Sequence, residues 1–221
     1  MLSLNVRRAV INFGQRLSPA GLLAVGLAAV VSLALPLQLV YVTLGSNFHT
    51  VLLGEVYRSA QPSMAGLEAM FRTHKIRTVL NLRGDNTDDW YYLEHALGER
   101  LGVNVVDVGL WAYGPPPPDQ FVLLVETLAQ APPGILVHCN SGGDRSGLAG
   151  ALAILLRSDG TLCQARRQLS FYYGHNPFGK ASCQSRVLDC YEEWLTAHAW
   201  QHTPQRLRKW ARDGYQMEMC Q

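Results

Sequence analysis

His138-Cys139-Asn140-Ser141-Gly142-Gly143-Asp144-Arg145-Ser146-Gly147 is the stretch on which the fold of this chain turns. An apolar run, Gly134-Ile135-Leu136-Val137, leads into it, and a helix-like run, Leu148-Ala149-Gly150-Ala151-Leu152-Ala153-Ile154-Leu155-Leu156, leaves it. The first reads as a buried strand and the second as a buried helix. A strand that feeds a glycine-bearing loop at a helix start turns successive backbone N–H groups toward one point and makes an anion cradle. Cys139 stands at its base. Beneath such N–H groups a thiol is held as thiolate, the nucleophilic form. Gly142 and Gly143 let the loop curl, so Asn140, Ser141, Gly142 and Gly143 are the candidate phosphate-binding residues. The planar fork of Arg145 matches two oxygens of a phosphoryl group. Ser146 can donate to the sulfur and improve it as a leaving group, and His138 can bond the loop backbone and hold the cysteine in place. The expected chemistry is thiolate attack on phosphorus, a phosphocysteine, and its hydrolysis by water. Arg145 and the N–H groups supply the positive field, so neither a metal nor a cofactor is expected.

Outward from that stretch, strands alternate with helices. Val56-Tyr57-Arg58-Ser59-Ala60 reads as a strand stopped by Gln61-Pro62. Ser63 caps a helix to about His74, with Met64, Leu67, Met70 and Phe71 as its apolar stripe. Thr78 to Leu82 is a second strand. A helix follows from Thr87 or Asp88 to Gly102, then a strand over 103–110, a helix over 120–129, and two helices near 160–171 and 182–198. The pattern predicts an α/β fold: a mainly parallel central sheet of four to five strands with helices on both faces.

The motif resembles the signature of the cysteine-dependent protein tyrosine and dual-specificity phosphatases, His-Cys-x5-Arg-[Ser/Thr]-Gly, intact at 138–147. Asn47-Phe48-His49, Val56 to Pro62 and Val79-Leu80-Asn81-Leu82-Arg83-Gly84 are similar to a bacterial branch of dual-specificity-like phosphatases, many of which carry an N-terminal membrane segment. The resemblance covers residues 47 to 195. It implies the cysteine phosphatase fold and a phosphomonoester hydrolase, with Cys139, Arg145 and Ser146 catalytic and His138 and Arg83 supporting. Two rivals stand beside it: a phosphate-binding pseudophosphatase, and a rhodanese-like sulfurtransferase, which also sets a cysteine among inward N–H groups. The intact Arg145-Ser146-Gly147 ending favours phosphate.

Phosphatases of this kind usually carry an aspartate on a loop after an earlier strand, to protonate the leaving oxygen. The corresponding loop, Trp111-Ala112-Tyr113-Gly114-Pro115, contains no acid. Asp144, inside the cradle, is the expected general acid, with Asp107 and Asp119 as alternatives. A competing role for Asp144 is an ion pair with Arg83 or Arg58 that stiffens the loop. The absence of lysine from the cradle points to monophosphates.

Residues 20–42 are nearly all apolar, and no charged residue occurs between Arg16 and Glu55. That length spans a bilayer; a cleaved signal peptide and a buried core helix are the competing readings. Arg7, Arg8 and Arg16 precede the run and no cation follows until Arg58. This places a cytoplasmic segment over 1–19, an anchor over 20–43, the catalytic domain over 45–200 outside the cytoplasm, and a basic, Trp-containing tail over 201–221. The expected partners are a membrane, through 20–42, and a phosphorylated protein, lipid or saccharide. A formal charge of +2 is too small to argue for nucleic acid. The tail reads as a weakly ordered end, with an anionic membrane surface as the alternative. Of the five cysteines, all but Cys139 read as small buried apolar residues.

Overall fold

The computed structural model describes residues 18–220. Arg7, Arg8 and Arg16, on which the expected orientation depends, lie outside the described residues. The chain divides into two units that meet between Val40 and Tyr41. Helix α1, Pro19–Leu44, carries the apolar run, and its Pro19–Val42 portion is long and apolar enough to cross a membrane. Pro36 lies inside it.

The second unit is built on a five-stranded sheet: β1 (His49–Leu52), β2 (Val56–Ser59), β3 (Thr78–Asn81), β4 (Asn104–Asp107) and β5 (Ile135–His138), in the order β1-β2-β5-β3-β4. The strands run parallel except β1, which pairs antiparallel with β2. This is the expected mainly parallel α/β sheet. β2, β3 and β5 are buried throughout, as strands covered on both faces must be. Residues 45–49 read as the exit from the anchor; from His49 to Leu52 the chain forms an edge strand, whose half-polar pattern suits one covered face. β4 ends at Asp107, short of the expected 110, because the Gly109 N–H turns to the Gln120 side chain at 2.8 Å.

Between the strands lie α2 (Met64–His74), α3 (Asp89–Leu101) and α4 (Pro118–Gln130). Ser63 caps α2 through the Gly66 N–H, and Gly102 closes α3 in the left-handed region. α4 starts two residues early, inside the proline run, because proline is accommodated in the first helical turn. Helix α5, Arg145–Arg157, is buried from Ser146 to Leu156 and forms the centre of the main core. The expected helix near 160–171 is shorter: α6 spans Leu162–Arg166, and a single 3₁₀ turn follows at Phe171–Tyr173. Helix α7 spans Cys183–Ala197.

The C-terminal segment is ordered, which corrects the tail reading. Helix α8, Pro204–Lys209, is followed by a π-turn over Trp210–Gly214. Leu207, Trp210 and Cys220 are buried. The Trp210 ring meets Phe121 edge-on at 5.5 Å, and the Tyr215 hydroxyl donates to the Pro116 carbonyl at 2.8 Å. The apolar face of this segment is one more core layer, which its surface arginines mask in the sequence. The cysteine reading is corrected as well. Cys190 and Cys220 form a disulfide with Cα atoms 6.1 Å apart, Cys163 is exposed, and Cys183 is half-buried.

Arg208 and Arg212 converge on Glu126 of α4, with Arg212 Nη2 at 2.7 Å. Hydrogen bonds from Arg208 hold the Glu126 carboxyl down at about 2, against an ordinary 4.5. A carboxylate with a depressed folded pKa stabilises the fold fully above its unfolded pKa and stops doing so as pH falls toward its folded one. Thermal stability should therefore fall between pH 4.5 and about 2, and Glu126→Gln should flatten the melting temperature against pH in that window.

Candidate active site

Register decides where the site lies. Ser59 of β2 and Asn81 of β3 both pair with His138 of β5, so three strands end level. The segments beyond those ends, at Gln61, Leu82-Arg83 and 139–144, therefore meet at one edge of the sheet, the usual place for a site in an open α/β sheet.

The cradle is held open from behind. A planar trans peptide points its N–H opposite to its C=O, so a carbonyl fixed outward turns the next N–H inward. Four successive carbonyls are fixed this way. The Asn140 carbonyl accepts from the Gln61 N–H at 3.1 Å. Ser141 accepts from Asn47 Nδ2 at 2.9 Å. Gly142 and Gly143 accept from Arg58 Nη2 at 2.7 and 2.9 Å. The Gly142 N–H points to the Cys139 sulfur at 3.2 Å. Gly142 has φ +75°, and a Cβ there would lie 2.6 Å from the Ala60 nitrogen, so only glycine fits.

Arg58 is wholly buried, and its Nη1 donates to the Gln168 carbonyl at 2.6 Å and to Gln168 Oε1 at 2.9 Å. Burial pulls its guanidinium down to about 10, and the nearby Cys139, Tyr173 and Asp144 oppose that shift. Asn47 is buried too, and its Nδ2 reaches the Tyr173 carbonyl at 2.9 Å as well. His49 Nε2 lies 3.0 Å from Asn47 Oδ1 and fixes the amide's orientation. Burial, with Arg58 close by, lowers His49 to about 4.

The expected residues are brought together, with several partners revised. Cys139 is buried at the base, and Asn140 and Ser141 are exposed at the lip. Arg145 Nη1 donates to the Leu82 carbonyl at 3.2 Å and the Leu110 carbonyl at 3.3 Å, which ties its guanidinium to the facing loops. Arg83 donates to Gln61 Oε1 at 3.1 Å and lies 3.9 Å over the Trp90 ring. Burial and then the charge of Arg145 lower its pKa.

Ser146 donates to the Ser59 carbonyl at 3.2 Å rather than to the sulfur. Its hydroxyl reaches the end of β2, so it ties the helix start to the sheet. His138 bonds Glu94 Oε1 through Nε2 at 3.0 Å, both groups fully buried, rather than the loop backbone. Asp144 pairs with neither Arg83 nor Arg58. Its Oδ1 lies 2.6 Å from His175 Nδ1, and His175 Nε2 lies 2.7 Å from Ser185 Oγ. His175 is buried while Asp144 is about a quarter exposed, 26% by side chain. Asp107 is occupied elsewhere, by Asn81, the Tyr91 hydroxyl and His95. Asp119 lies exposed at the start of α4 and bonds Gln120. Among the described residues no group of three or more His, Cys, Asp or Glu side chains is placed to hold a metal.

No known family profile matches the chain, and no curated protein matches it in sequence. Solved structures do match in three dimensions. The core catalytic domain of the S. cerevisiae PP-IP phosphatase SIW14 superposes with TM-score 0.52 at 20% identity, over 71% of this chain and 96% of that one. The fold is that of the cysteine-based phosphatases. Tk-PTP, in a glycine-to-alanine mutant form, gives 0.50 at 21% identity over 68% and 97% of the two chains. TpbA of P. aeruginosa gives 0.50 at 21% identity over 65% and 87%. Within this phosphatase fold, Cys139 falls on the loop between β5 and α5, and Arg145 on the first residue of α5.

Sequence reasoning gave Asn47, Gln61 and Glu94 no role at the cradle, and offered Arg58 only as an ion-pair partner of Asp144. For Arg58 a signal existed: a charge inside the strand pattern Val56-Tyr57-Arg58-Ser59, where a buried cation has to be serving buried acceptors. Arg58→Met should weaken binding of tungstate, a tetrahedral oxyanion, about tenfold or more, the worth of hydrogen bonds to a charged group. Isothermal titration calorimetry measures it, and unchanged affinity would show that the outward carbonyls hold without Arg58.

Proposed function

We infer that the chain is a membrane-tethered phosphomonoester hydrolase of the protein tyrosine or dual-specificity type, acting through a phosphocysteine. The observation that carries this reading is the row of outward carbonyls at 140–143 above Cys139. It turns the N–H groups of 141–144 toward the point where the three non-bridging oxygens of a phosphoryl group would sit. The phosphate-binding residues are Asn140, Ser141, Gly142 and Gly143, with Arg145 clamping two oxygens as charge redistributes. The Cys139 sulfur attacks phosphorus as the ester oxygen leaves; water then attacks phosphorus and releases the sulfur. Ser146 holds the loop to the sheet, and His138 and Arg83 brace it.

Asp144 is the general acid of this reading. The His175 contact holds its carboxyl in place and leaves about a quarter of the side chain exposed, 26%. Arg145, tied to the Leu82 and Leu110 carbonyls, favours phosphate over the persulfide of a sulfurtransferase. Cys139 and Arg145 together leave a pseudophosphatase without positive support. Purified residues 45–221 should hydrolyse p-nitrophenyl phosphate without added metal, and Cys139→Ser should abolish it; activity retained in that variant refutes the mechanism. Asp144→Asn should slow alkyl phosphates by about a hundred-fold or more, the share of a general acid, and aryl phosphates with good leaving groups far less. Equal small losses on both would remove Asp144 from the role.

The substrate is a phosphorylated protein or an envelope lipid or saccharide, met outside the cytoplasm. Arg7, Arg8 and Arg16 before the apolar run support that orientation. So does the Cys190–Cys220 disulfide, since such bonds persist in oxidising compartments. Thiol trapping in intact cells should find that pair oxidised, and external protease should digest the domain in spheroplasts. A protected domain with all five cysteines reduced would reverse the orientation.

A further inference from the structure

The apolar run ends almost within the cradle wall. Val42 closes the membrane-length stretch, Leu44 is the last helical residue, and Asn47 already holds the Ser141 and Tyr173 carbonyls. The chain from Val42 to Asn47 reaches at most roughly 18 Å, even fully extended. It is also pinned rather than slack. The Tyr41 hydroxyl accepts from the Phe48 N–H at 3.0 Å and donates to the Phe48 carbonyl at 2.8 Å. Its ring stands edge-on to His49.

A single backbone turn separates Val42 from the cradle. A Cβ on Gly174 would meet Val42 Cγ1 at 2.4 Å, and one on Gly143 would meet the Gly174 carbonyl at 2.9 Å. That turn and its continuation present aromatic rings to the outside: Phe171 is 64%, Tyr172 56% and Phe178 88% exposed. Trp111 and Tyr113, past the Leu110 carbonyl that accepts from Arg145, are exposed as well. They line a cleft of about 780 Å³ that also includes Pro115, Pro177 and Ser185, the partner of His175. Exposed aromatic rings next to the end of a membrane span suit the headgroup layer, where one edge is apolar and the other wet.

We propose that the substrate is a phosphomonoester carried by a membrane lipid in the leaflet where the helix ends. Phe171, Tyr172 and Phe178 sit in the headgroup layer, and the cleft that Trp111 and Tyr113 line, with Lys180 and Arg186 on its wall, receives the part of the lipid next to its phosphate. The proposal rests on the phosphatase reading and on residues 19–42 spanning the membrane. A lipid phosphate is confined to the layer in which the tether holds the cradle. A phosphoprotein has to bring its modified segment down to that layer past the same rings. In the first step the S–P bond forms, the P–O bond to the lipid alcohol breaks, and the Asp144 proton goes to the departing oxygen. In the second, water supplies the oxygen to phosphorus, returns a proton to Asp144 and frees the thiolate.

The test uses the full chain reconstituted in phosphatidylcholine vesicles containing phosphatidic acid or a polyprenyl monophosphate, beside soluble p-nitrophenyl phosphate and a phosphotyrosine peptide. At least one lipid should be turned over with kcat/KM about tenfold or more above the peptide. A double variant, Phe171→Ser with Phe178→Ser, should lose about tenfold on vesicles, on the scale of withdrawing apolar rings from an apolar layer. The same variant should keep p-nitrophenyl phosphate turnover, which also verifies its folding. Hydrolysis of p-nitrophenyl phosphate with both lipids untouched, or with the peptide preferred, overturns the proposal and leaves the phosphatase reading standing. An equal loss on vesicles and on the soluble ester overturns the role of the rings. No hydrolysis of any ester overturns the phosphatase reading and the proposal with it.

Discussion

Everything at the site depends on the carbonyls of 140–143 facing away from it. Left alone, a loop with two glycines has many ways to turn its peptides, and only one of them gathers its N–H groups. Arg58 removes the alternatives for Gly142 and Gly143, Asn47 for Ser141, and the Gln61 backbone for Asn140. A guanidinium suits this task because its planar fork addresses several acceptors from a fixed geometry. Burying it is costly, and the cost is offset because Arg58 donates to the Gln168 carbonyl and side chain as well as to the loop.

The sheet delivers these supports in register. Arg58 arrives on β2 one residue before its end, Asn47 just ahead of β1, and Gln61 just beyond β2. Because β2, β5 and β3 end level, groups from three different loops meet without long connections. Beneath the loop, the buried His138–Glu94 pair links β5 to α3, and Gln61 Nε2 lies 3.4 Å from the other Glu94 oxygen. Cradle, strand end and helix are thus one hydrogen-bonded block, which suits a site whose donors must stand ready before the anion arrives.

Much of this was legible from residues near one another in the chain. The β5–loop–α5 unit, the Ser63 and Gly102 caps and the parallel sheet all rest on local periodicity and turn chemistry. What stayed hidden comes from distant residues: Asp144 with His175 is 31 positions apart, His138 with Glu94 44, and Arg58 with Gly142 84. The C-terminal segment misled because its arginines dominate its composition, while Leu207, Trp210 and Cys220 supply the buried face. A pattern carried by one short helix and irregular turns has no period long enough to read.

By itself the sequence determined which groups are available: a cysteine and an arginine with five residues between them, a strand before the cysteine, a helix from the arginine onward, and an apolar run at the front. Those follow from local sterics and from the chemistry of each side chain, which neighbours in the chain are enough to express. Only the tertiary structure decided which partner each group takes. It gave Asp144 to His175, Ser146 to the end of β2 and Arg58 to the back of the cradle. Hydrogen-bond partners across a sheet are chosen by register and packing, and these exist only once the whole chain has closed around its core.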